Sequence, residues 1–201
     1  GANDATIDIT VSGGTSVYTY SWTTVGGSGL NLTAEDQTGL GPGTYTVVAT
    51  DQNSCTISKT YTITEPNALV LSGVKKDFNG FNISCNGEDD GEIDISVSGG
   101  LLVGSDNYIY SWTTVGGSGL DPTAADQTGL TAGSYSVTVT DSNNCTISQT
   151  FVITEPTALA LSETISQHNG FNITCNGAND ATIDITVSGG TSVYTYSWTT
   201  V

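Results

Sequence analysis

Residues 130–156 read LTAGSYSVTVTDSNNCTISQTFVITEP, and they announce a β-hairpin. In YSVTVT (135–140), Tyr135, Val137 and Val139 fall on one side of an extended chain. In CTISQTFVIT (145–154), Ile147, Phe151 and Ile153 do the same. A period of two marks strands with one face in a core and the other in water. The intervening DSNN (141–144) is rich in turn formers. Pro156 cannot donate to a sheet ladder, so it suits the end of a last strand. The start of the stretch is more specific. LTAGSY (130–135) places a Tyr at the beginning of a strand, after Leu and Gly, and LGPGTY (40–45) does the same. This matches the tyrosine corner of β-sandwiches, where the hydroxyl bonds back to nearby backbone.

Upstream, EIDISVS (92–98) alternates with Ile93, Ile95 and Val97 on one face. YIYSW (108–112) puts Tyr108, Tyr110 and Trp112 together. The turns are SGG, GGSG, DSNN and FNG, and no segment sustains a helical period. Strands about ten residues apart predict an all-β fold with Ig-like or PKD-like sandwiches. Trp22, Trp112, Trp198, Tyr45 and Tyr135 are the expected core aromatics.

The chain also repeats itself. Residues 1–25 recur unchanged at 177–201. SWTTVGGSGL occupies 21–30 and 111–120, and FNISCNG (81–87) returns as FNITCNG (171–177). Cys55 to Cys145 and Cys85 to Cys175 both span 90 residues. LLVGSDNYIYSW (101–112) carries extra residues relative to TSVYTYSW (15–22). The expectation is a window on a tandem, elongated array. Its parts are 1–66, a repeat lacking its first strand; 67–156, a complete repeat; and 157–201, the N-terminal half of a third.

Twenty Asp and Glu face three Lys, for a formal charge of −17. That charge disfavours nucleic acid and anionic membrane surfaces. No transmembrane run or signal peptide is visible, so this segment is expected neither to insert in a membrane nor to carry its own address.

The pattern CNG…D…I.I.VSGG…Y.YSW, then GL..G.Y.V..TD…C, closing on I.EP, resembles the SprB repeat of giant surface adhesins of gliding Bacteroidota. The resemblance implies an extracellular, cell-surface protein exported by the type IX system and carried by the gliding machinery.

Two cysteines per repeat, without CxxC spacing and with a single His, speak against zinc. In an exported β-domain they suggest a disulfide, and Cys85–Cys145 would contribute roughly 4 kcal/mol. In plain Ig topology these positions lie at opposite poles, so the bridge needs DFNG (77–80) to turn the chain back. Otherwise the partners lie in neighbouring repeats, or the thiols are free. NGEDDGE (86–92) and the Asp-x-Asn turns suggest a calcium site drawn from Asp4, Glu65, Asp89, Asp90 and Asp141, against the plainer reading of turn formation. The Tyr-Tyr-Trp rows could stack sugars or fill a core. Outward Thr and Ser could order water or simply favour strands. No catalytic motif is present, so an enzyme is not expected.

The leading expectation is a filament segment that supports attachment and gliding on a surface polysaccharide or solid substratum. The alternative is an array of carbohydrate-binding modules. Each sandwich should add roughly 35–40 Å along the array.

Overall fold

The computed structural model describes residues 2–104 and 107–200. Ser105 and Asp106 of the 101–112 insertion lie outside the described residues. Among the described residues all regular structure is β. The chain divides into two compact units, Gly1–Ala68 and Leu69–Val201.

The second unit contains the complete repeat, as two antiparallel three-stranded sheets. One has the order β6 (Val70–Lys75), β7 (Gly91–Ser98), β9 (Gln127–Leu130). The other has the order β8 (Ile109–Val115), β10 (Gly133–Thr140), β11 (Thr146–Ile153). In β10 every second residue is buried, and Tyr135, Val137 and Val139 are fully enclosed. They pack with Ile83, Ile93, Trp112, Leu130, Phe151 and Ile153 between the sheets. This is the division of strands found in Ig-like sandwiches, with the tryptophan on the third strand.

The opposite face of the β10–β11 pair is hydroxyl-rich. Ser136 and Thr150 stand 2.7 Å apart across the ladder, and Thr138 and Ser148 2.9 Å. The outward Thr and Ser therefore pair with one another across strands.

The first unit repeats the plan with β1 (Ala5–Ile7) beside β3 (Gln37–Leu40), and β2 (Thr19–Val25), β4 (Gly43–Thr50), β5 (Thr56–Ile63) as the second sheet. It contains no counterpart of β6. The consequence is visible at matched positions. Phe151 and Ile153 are buried, whereas Tyr61 and Ile63 are half-exposed. In the complete repeat, β6 lies so close over Phe151 that a Cβ on Gly73 would come within 2.5 Å of its ring. That crowding explains why a glycine stands in mid-strand, against its propensity.

The third repeat is a hairpin of β12 (Ala160–Ile165) and β13 (Ile183–Ser188). Trp198 departs from the expected core position. It is 62 % exposed, because 157–201 holds no counterpart of β10 to pair with and cover it.

Candidate functional site

Three networks hold each repeat, and they account for most of the residues singled out in the sequence. The first is the tyrosine corner. The Tyr135 hydroxyl lies 2.8 Å from both the Thr131 and the Ser118 carbonyl oxygens. In the first unit, Tyr45 donates toward Gly41 (2.7 Å) and Ser28 (2.9 Å), and the Ser28 N–H donates back to its hydroxyl. A Cβ on Gly117 would stand 2.2 Å from the Tyr135 oxygen, so GGSG must pass as glycine there.

The second network ties the tryptophan to the following loop. Trp112 Nε1 donates to Ala124 O at 2.9 Å. The buried Gln127 completes the fastening: its Oε1 accepts from Asp121 N, and its Nε2 donates to Asp121 O, both at 2.9 Å. Trp22, Ala34, Gln37 and Asn31 repeat the pattern. The glutamines were not anticipated, although the recurrence of DQTGL at 36–40 and 126–130 was available as a signal.

The third network consists of carboxylates that close turns. Asp141 accepts the N–H groups of Leu101 (2.8 Å), Asn143 (2.9 Å) and Cys145 (2.8 Å). These donors, Leu101 foremost, hold its carboxyl below the usual range. Asp51 is lowered likewise by Thr15, Cys55 and Asn53. Asp90 is lowered by the Ser84 hydroxyl and N–H. Glu155 accepts from Gly87 N at 2.6 Å. Among the described residues, no three His, Cys, Asp or Glu side chains converge on a point that could hold a metal. Asp89 and Asp90 sit at the opposite end of the sandwich from Asp141, and Asp4 and Glu65 belong to the other unit. The proposed calcium set is therefore not assembled within either unit. No buried side-chain polar atom lacks a partner among the described residues.

The aromatic rows of the two sandwiches turn inward. Trp22 is 1 % exposed and Trp112 3 %. Tyr110 and Tyr20 pack at the edges of the two cores. Burial raises Tyr110, and a hydrogen bond with Glu35 pushes Tyr20 up to about 12. Tyr18 and Tyr108 close the SGG turns by donating to Gly13 O (2.6 Å) and Gly99 O (2.8 Å). In both sandwiches these rings shape the fold.

All four cysteines are free, exposed thiols. The Cys85–Cys145 bridge is ruled out by the placement of the two residues. Cys145 immediately precedes β11, while the turn carrying Cys85 is fastened just beyond its other end. There Thr154 O accepts from Asn82 N (2.8 Å) and Ile83 N (3.1 Å). DFNG does form a tight turn, closed by Phe78 and Phe81, but it delivers Cys85 to this far pole. The eight residues of β11, about 26 Å of extended strand, lie between the two turns, against the 7 Å limit between Cα atoms for a disulfide.

The family model of the SprB repeat matches residues 1–27, 81–117 and 171–201. No curated protein and no solved structure matches the chain. SprB repeats belong to cell-surface proteins and are associated with gliding adhesins. Among the described residues no helix is long and apolar enough to cross a membrane.

Proposed function

We propose that this chain, which carries SprB repeats, is a structural segment of an extracellular adhesin filament that supports surface attachment and gliding. The observation that carries the reading is the use made of its polar and aromatic residues. In both sandwiches the Tyr, Trp, Gln and Asp side chains that a ligand would need are already bonded to the repeat's own backbone. A repeat of this kind is a spacer that bears load and binds little on its own. It has no catalytic role. Many copies set end to end carry a binding tip outward, or multiply weak contacts with polysaccharide or a solid substratum. Export through the type IX system and movement by the gliding motor complete the reading.

The test is performed on cells. Antibody raised against residues 67–156 should label intact cells, and labelled beads should travel along them. In-frame removal of the repeats should abolish bead movement and attachment while the protein remains exported. Labelling only after cell lysis, or normal attachment without the repeats, would overturn the proposal. Measurable glycan affinity in the present chain would favour the carbohydrate-binding alternative.

A further inference from the structure

The same geometry that forbids a bridge inside the repeat places the Cys85 turn at the junction with the third repeat. At its far pole, Asn86 Nδ2 donates to Pro156 O at 3.1 Å, holding the Cys85 turn against the last residue before the next repeat. Thr157 O in turn accepts from Gly190 N at 2.7 Å. Cys85 lines one hollow together with Thr157, Ala158, Gly190 and Thr191. Gly190–Thr191 is the counterpart, 90 residues on, of Gly100–Leu101. In the complete repeat this loop is where the other cysteine stands. Leu101 N donates to Asp141, Leu101 O accepts from Ser142 N at 3.0 Å, and Cys145 N donates to the same Asp141 carboxylate. The Cys85-type thiol of one repeat and the Cys145-type thiol of the next therefore flank a single loop.

We infer that consecutive repeats are stapled by a disulfide between these two cysteines. Cys85 pairs with the Cys145 counterpart of the next repeat, the one that carries the Gly190–Thr191 loop, and Cys145 pairs with the Cys85 counterpart of the repeat before it. Both thiols are exposed, as the exchange requires. The oxidant is the disulfide of an oxidised dithiol donor. One thiolate attacks the donor disulfide, and the second displaces the donor from the mixed disulfide. The S–S bond forms while the donor leaves as two thiols holding both electrons and both protons.

The connectivity has a mechanical consequence. From Cys145 to Cys175 the chain runs 30 residues, and each staple spans the next junction. A fully pulled array then follows short connecting segments, with 30 extensible residues for every two repeats of 90. Its limiting contour is about sixfold shorter than that of the reduced array.

The inference rests on the tandem, exported array proposed above, and its test reads pairing alone. Surface-derived protein is alkylated without reduction, digested and mapped by mass spectrometry. The peptides around Cys85 and Cys145 have sequences distinct from those around Cys175 and Cys55, so each pairing is identifiable. Both cysteines should be protected and linked to the opposite motif of another repeat. In Cys145→Ser protein, Cys85 should stay protected; a newly alkylatable Cys85 would reveal an intra-repeat bridge and overturn the staple. Fully alkylated thiols on protein that labels at the cell surface would also overturn it, while leaving the filament reading intact.

Discussion

Tyr135→Phe removes one oxygen from a ring that is completely enclosed. The phenyl ring keeps its place, so the cost is the loss of bonding. The Thr131 and Ser118 carbonyls, each 2.8 Å from the hydroxyl, lose a common donor at the buried end of the ring. An unsatisfied buried polar group costs about 1–3 kcal/mol. Taking about 2 kcal/mol, and about 4–8 °C per kcal/mol for a domain of this size, the melting point should fall by about 8–16 °C. The assay is thermal unfolding followed by tryptophan fluorescence in a Trp198→Phe background, so that only Trp22 and Trp112 report. Tyr45→Phe is the internal comparison. It loses the bonds to Gly41 and Ser28 and should destabilise the first unit by a similar amount. Melting within about 1 °C of the parent for Tyr135→Phe would show that the corner contributes nothing, and that the recurring hydroxyl bonds do not hold the repeat.

Three further outcomes follow from the same networks. Gln127→Ala strips partners from Asp121 and Ala124 and should cost about 2–3 kcal/mol in chemical denaturation, while an exposed control such as Gln167→Ala stays within about 0.5 kcal/mol. Asp141 and Asp51 are depressed below the ordinary carboxylate range, so their contribution is complete above about pH 4, near the unfolded value, and is lost as pH falls through the folded one. Calorimetry should therefore show a flat melting point from pH 7 to 5 and a decline below about pH 4; a melting point unchanged at pH 2 would contradict this. Asp8 behaves in the opposite sense. Repulsion from Asp36 raises it, so Asp8→Asn should raise the melting point at pH 7, more at low salt than at high, and have no effect near pH 2.

The strands were legible because alternation is local. Ile93, Ile95 and Val97 declare their face within seven residues, and Leu130–Gly133–Tyr135 declares the corner within six. What stayed hidden depends on contacts distant in sequence. Gln127 looks like any polar residue in a turn until the 121–124 loop closes over it. Asn82 becomes part of the interior only when its Oδ1 meets Thr154 N at 3.2 Å, across 72 positions. Asp141 fits a calcium loop and an Asx turn equally well by composition. Only the N–H of Leu101, 40 residues away, shows which role it fills. Trp198 shares its sequence context with Trp22 and Trp112 but not their covering strands, so an identical motif ends in a different environment.

An image of the intact filament at subunit resolution bears on the whole picture at once. Successive sandwiches should appear as separate densities at a spacing of roughly 35–40 Å, each enclosing its tryptophan between two sheets. Repeats merged into one continuous sheet or a compact globule, with no such spacing, would contradict it.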